Sequence, residues 1–128
     1  MQVKLISSVF LIVLFASTAK AQSLTDYKWK KRVLVLVGHK DNAKLIQQQK
    51  AFLNFPKELE DRNLVLVHKL NDDAELKKIL TLDNNFQGVL LIGKDGGIKF
   101  SEPFVVTPKK IFDLIDSMPM RRTEMRNH

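Results

Sequence analysis

The stretch "RVLVLVG", Arg32 to Gly38, limits most narrowly what this chain can become. After Arg32 its residues are apolar, valine or leucine at consecutive positions up to Gly38. A strand with one wet face alternates apolar and polar residues, whereas a strand covered on both faces does not. The chain therefore calls for a sheet with cover on both sides. "NLVLVHKL", Asn63 to Leu70, repeats the pattern and is expected to be a second strand buried in the same way. "GVLLIG" supplies a third strand and "GIKFS" a fourth.

The intervening segments have helical period. In "AKLIQQQKAFLNF", Leu45, Ile46, Phe52 and Phe55 fall on one side, Asp41 or Asn42 is placed to cap the start, and Pro56 marks the end. "KELEDR" adds a further turn. "NDDAELKKIL" reads as a short helix capped by Asn71 or Asp72, burying Leu76, Ile79 and Leu80. Thr107 caps and Pro108 opens a last helix, with Ile111, Phe112, Ile115 and Met118 on its stripe and Pro119 as its stop. The order β-α-β-α-β-β-α is that of the thioredoxin fold core: α/β, a mixed four-stranded sheet flanked by helices.

"LLIGKDGGIKF" raises the question of a phosphate cradle. A Walker loop needs G-x-x-x-x-G-K-[ST] running into a helix. Here Lys94 is followed by Asp95, and a strand follows the turn. Asp95-Gly96 between apolar runs reads instead as a hairpin whose two central residues take positive φ.

The first 21 residues are expected to lie outside the fold. "MQVK" is basic, Leu5 to Ala16 is apolar, and "AKA" at Ala19 to Ala21 has the form of a cleavage site, as in a secretory signal peptide. That run is shorter than the roughly 18 residues of a spanning helix. The expected organisation is a signal peptide over 1–21, a lead-in over 22–31, a thioredoxin-like domain over 32–118 and a basic tail over 119–128. Localisation would be secreted or periplasmic, with no membrane span left after cleavage near Ala21. Net charge is +7, and losing Lys4 and Lys20 leaves +5. Such an excess favours anionic partners. Export makes nucleic acid an unsuitable one, and "YKWKK" is too short for a single-strand stacking platform.

"YKWKKRVLVLV", "LIGKDGGIKF" and "LIDSMPMRRTEMR" together resemble a family of small secreted bacterial proteins of unknown function. Their thioredoxin-like domain is related to that of the equarin and sushi-repeat extracellular matrix proteins. The resemblance runs from about Leu24 to Arg126. The hairpin is similar to one near the end of peroxiredoxin-type domains. This implies a thioredoxin-like fold and secretion, without a settled activity. Thioredoxin-fold enzymes carry a reactive cysteine after the first strand and a cis-proline before the third. The whole chain has no cysteine, and "LDNNFQGV" has no proline. Thiol oxidoreductase or peroxidase activity is not expected, and no cofactor is implied.

Two poles offer candidate residues. At the place of the missing thiol stand His39, Lys40 and Asp41, with His68 at the end of the second strand. A histidine beside a carboxylate suits acid–base work, and two histidines with Asp72 or Asp73 suit a metal. The spacing requires neither, so no metal site is assigned. These residues carry the alternative function, an enzyme of unknown type, hydrolytic or metal-dependent; an inactive oxidoreductase relative is a third reading. At the other pole the topology gathers Trp29, Arg32, Lys94, Asp95, Arg121 and Arg122. Their functional reading is a non-enzymatic binding module for an anionic or protein partner outside the cytoplasm. Their structural reading is a clasp in which Trp29 covers the core's open end, Asp95 pairs with an arginine and Glu124 pairs with Arg121.

Overall fold

A computed structural model of the chain describes residues 23–79 and 85–127. The signal-peptide expectation and Leu80 lie outside the described residues. A 3-10 turn, Leu24–Tyr27, precedes β1 (Arg32–Val37), α1 (Ala43–Leu53), α2 (Pro56–Asp61) and β2 (Leu64–Lys69). Then come α3 (Ala74–Ile79), β3 (Gly88–Ile92), β4 (Ile98–Pro103), α4 (Pro108–Asp116) and α5 (Pro119–Arg126). The sheet has four strands in the order β2-β1-β3-β4. β1 runs parallel to β2, and β3 runs antiparallel to both β1 and β4.

The sequence of β1 explains its central place. Leu34 and Leu36 face one layer with Phe52, Leu59, Ile111 and Ile115. Val33, Val35 and Val37 face the other with Leu24 and Leu76. All six residues of β1 and all five of β3 are buried. Both hydrophobic clusters and all four strands lie within the described residues, so this part of the chain carries its own core.

β2 is a correction. Its composition matches that of β1, but it is an edge strand and only Leu64 is fully buried. An apolar run alone does not distinguish a central strand from an edge strand.

Local rules hold at most helix ends, with some shifts. Asn42 caps α1 and Thr107 caps α4, each side chain accepting a backbone N–H. The cap of α3 is Asp73, whose Oδ1 accepts from Glu75 and Leu76, and not Asn71 or Asp72. In α1 the buried side is Leu45, Gln48 and Phe52, while Ile46 and Phe55 remain partly exposed. Gln48 is buried because it acts as a strand would. Its amide donates to Val106 O at 2.7 Å and accepts from Val106 N at 2.6 Å. Pro56 does not follow α1 as a stop but opens α2, and Pro119 likewise opens α5. The segment read as a basic tail is thus a helix. Proline at a first helical position loses no hydrogen bond, since that N–H has no helical partner.

The β3–β4 hairpin is tighter in its rules than expected. Gly96 N donates to Gly93 O and Gly93 N to Gly97 O. Only Gly96 of the central pair has positive φ, at 85°. The connection is a turn followed by a left-handed glycine, with a register shift between Leu91 and Ile92. Gly88, at the other end of β3, has a different reason: a Cβ there would come within 2.2 Å of Glu102 O on β4.

Candidate functional site

The start of β1, the hairpin tip and α5 converge at one pole. Trp29 N donates to Lys94 O at 2.6 Å, which pins the loop before β1 to the hairpin. Glu124 of α5 is the centre of the charge pattern. It takes a two-pronged contact from Arg32, with both bonds at 3.1 Å, and one from Lys94 Nζ at 2.7 Å. Arg121 reaches it only at 4.0 Å and bonds instead to Asp116 Oδ1 and to Asp61. Asp116 also accepts from Arg62, whose guanidinium lies 4.7 Å above the Phe112 ring.

This network ties α2, β1, the hairpin, α4 and α5 together. Arg32 is 1% exposed and Arg121 3%, so both are interior groups. A buried charge is tolerated only when its donors are met, and here each guanidinium also donates to a backbone carbonyl, Arg62 O or Asp61 O. Burial alone would raise the Glu124 carboxyl, yet hydrogen bonds from Arg32 and Lys94, with their charges, hold it below its ordinary 4.5. Asp116 follows the same logic: burial opposes, and Arg62 and Arg121 hold its carboxyl below 3.8.

The clasp is therefore real, but its members differ from those expected. Glu124 pairs with Arg32 and Lys94 ahead of Arg121. Asp95 pairs with no arginine; its carboxylate caps Gly97 N and takes Lys99 at 2.9 Å. Trp29 does not cover the core. It is 64% exposed, sits at φ 67°, and its nearest cation is Lys28 Nζ, 5.9 Å from the ring centre. Arg122, one residue along from Arg121, points out from α5 and is exposed.

Charge at this pole thus divides into two sets. Arg32, Lys94 and Arg121 are engaged by carboxylates. Among the described residues, Lys28, Lys30, Lys31, Arg122 and Arg126 have no ion pair. Lys28, Lys30, Arg122 and Arg126 are exposed and Lys31 half-buried. Next to the engaged set, between the hairpin and the last two helices, runs a groove of about 510 Å³ with Leu114, Met118 and Met120 among its walls. Its cationic members, Arg32, Lys94 and Lys99, are already engaged by Glu124 and Asp95.

The opposite pole is looser. His39 Nδ1 is 3.5 Å from Asp41 Oδ2, with both side chains largely in water. Lys40 is exposed. His68 does not join them through a side chain; its Nε2 donates to Gly38 O at 2.7 Å, tying β2 to the end of β1. Among the described residues no three His, Asp or Glu side chains are grouped so as to hold a metal ion. No helix among them is long and apolar enough to cross a membrane. Sequence reading missed the acidic side of the clasp, Asp61 and Asp116. Their spacing from Arg121 gives no local cue, although Arg121-x-x-Glu124 does.

Comparison with known structures agrees with the fold. The reduced 2-Cys peroxiredoxin of Plasmodium vivax superposes with a TM-score of 0.59 at 14% identity, over 78% of this chain and 84% of that one. The mitochondrial 2-Cys peroxiredoxin of Plasmodium falciparum gives 0.57 at 14% identity, over 82% of this chain and 84% of that one. At such identity the likeness concerns the thioredoxin-like fold alone. No curated protein matches the sequence. A family model does, across residues 23–124, from the 3-10 turn to Glu124 at the heart of the clasp. The chain belongs to the family described as Domain of unknown function (DUF4174).

Proposed function

We propose that this domain is a non-enzymatic binding module, exported from the cytoplasm, that holds an anionic partner at its basic pole. The observation that carries this reading is the exposed Trp29 set among lysines that have no carboxylate partner among the described residues. Trp combines a large apolar face with a polar N–H and is enriched where binding energy concentrates. The absence of cysteine from the whole chain supports a role other than thiol chemistry. The basic, apolar start of the sequence supports export. A matrix-type role outside the cell belongs to the same proposal.

The site differs from the residues first singled out. Arg32, Lys94 and Arg121 serve the clasp, so the binding residues in this reading are Trp29, Lys28, Lys30, Lys31 and Arg122. The test replaces three lysines by serine in two versions with equal net charge. One version changes Lys28, Lys30 and Lys31; the other changes Lys40, Lys44 and Lys50. Retention on an immobilised polyanion at moderate salt is compared. The reading expects the first to elute much earlier than the second. Equal elution of the two would overturn it.

A further inference from the structure

We infer that the anionic partner at this pole is a lipid surface, met edge-on by Trp29 and the surrounding cations; this rests on the binding reading above. Three observations lead there. The first is backbone geometry. Trp29 adopts a left-handed φ of 67°, which a bulky residue rarely does. Its amide is fixed to Lys94 O, so the loop holds the indole outward against the residue's own preference. A ring needed only for packing would be turned inward.

The second is the character of the neighbours. Lys28, Lys30 and Lys31 flank Trp29 in the chain, Lys28 Nζ lies 5.9 Å from the ring centre, and their ammonium groups only donate. The nearby carboxylates are committed elsewhere, Asp26 to the Ser23 N–H and Asp95 to Lys99 and Gly97. A sugar ring stacked on an indole draws on several acceptors for its hydroxyls; this loop supplies one side-chain carboxylate, Asp26, which already accepts from the Ser23 N–H. Phosphate headgroups call for donors and positive charge, which it has.

The third is the second basic element. α5 is joined to this pole through Glu124 and carries Arg122 and Arg126 one turn apart on its exposed side. Met120 and Met125 on the same helix are 43% and 41% exposed. Apolar side chains among unpaired cations, with no spanning helix among the described residues, is the pattern of a protein that rests at an anionic interface. Long lysine stems keep their charges at headgroup level while the indole enters. Each basic residue near such a surface adds about fivefold in affinity, so attachment is reversible and salt-sensitive.

The experiment uses the chain from Gln22 onward and sonicated vesicles of phosphatidylglycerol or of phosphatidylcholine. Trp29 is the sole tryptophan, so its emission reports insertion directly, and sedimentation reports binding. The inference expects a blue shift and co-sedimentation with phosphatidylglycerol at low salt, reversed by high salt, and neither with phosphatidylcholine. Serine at Lys28, Lys30 and Lys31 should weaken sedimentation about a hundredfold. Trp29→Gly keeps the left-handed backbone acceptable, so it should retain the parent's circular dichroism while binding more weakly. An unshifted emission with phosphatidylglycerol, or an equal shift with both lipids, would overturn the lipid inference. Retention on heparin without vesicle binding would also overturn it and leave the basic-pole reading standing. Failure on both heparin and vesicles would remove both.

Discussion

The two ends of the sheet treat charge in opposite ways. At the hairpin end, cations are sorted: Arg32 and Arg121 are interior and engaged, while Lys28, Trp29 and Lys30 stand exposed in the loop before β1. At the other end, His39 and Asp41 are an exposed pair 3.5 Å apart, and His68 is occupied with a main-chain carbonyl. Chemical residue types alone do not mark a site. Their state does: engaged and buried groups hold the molecule together, and groups held unpaired on a fixed backbone are free for something else.

The comparison breaks most visibly at the clasp. Arg32→Ala leaves Glu124 with Lys94 and, at 4.0 Å, Arg121, and takes the Arg32 donor away from the Arg62 carbonyl. Removing one member of a buried pair costs about 3–5 kcal/mol; the partial exposure of Glu124 places the expectation at the lower end. Urea denaturation should show a midpoint well below the parent's. A midpoint unchanged within error would mean that the clasp is ornamental.

Acid should loosen the same end next. Glu124 and Asp116 have folded values held below 4.5 and 3.8, so an unfolded chain takes up protons first as pH falls. Their stabilisation is present at neutral pH and is lost as pH drops through the folded values. The thermal midpoint is expected to decline between pH 6 and pH 3 as these carboxylates take up protons. Glu124→Gln should start lower and lose less over that range. An equal loss in the variant would assign the acid sensitivity elsewhere, with Glu75, bonded to Ser23 and the Leu24 N–H, as the next group to replace.

Trp29→Gly sharpens the contrast within the pole. A left-handed backbone costs a non-glycine residue about 1–2 kcal/mol, and glycine relieves this while losing about 0.5–1 kcal/mol to chain entropy. Stability should stay within about 1 kcal/mol of the parent, measured by thermal unfolding. A large loss would give Trp29 the covering role that its exposure argues against. His39→Ala should have the smallest effect, within about 0.5 kcal/mol, because an exposed pair contributes little.

Much of the fold was legible in the chain because its signals are local. The consecutive apolar residues of β1 and β3, the Thr107-Pro108 start of α4 and the Asp95-Gly96 turn each rest on neighbouring residues. What was not legible depends on distance in sequence. β2 reads like β1 but lies at the sheet edge. Pro119 reads as a stop but starts a helix, because α5 has a dock for Arg121 between Asp61 and Asp116. Gln48 reads as a surface residue but completes the backbone of Val106. The meeting of Arg32 with Lys94 at the end of the last helix followed from strand direction; the pairing of both with Glu124 and the outward turn of Trp29 did not, since neither a distant ion pair nor φ at a single loop residue has a pattern in composition.

The central claim is that an indole stands in water within a field of unpaired positive charge. Quenching of the sole tryptophan by iodide and by caesium tests it most directly. The account expects iodide to quench strongly and caesium weakly at low ionic strength, with the difference shrinking when Lys28, Lys30 and Lys31 are replaced by serine. Weak quenching by both ions, or equal quenching that ignores the lysines, would contradict it.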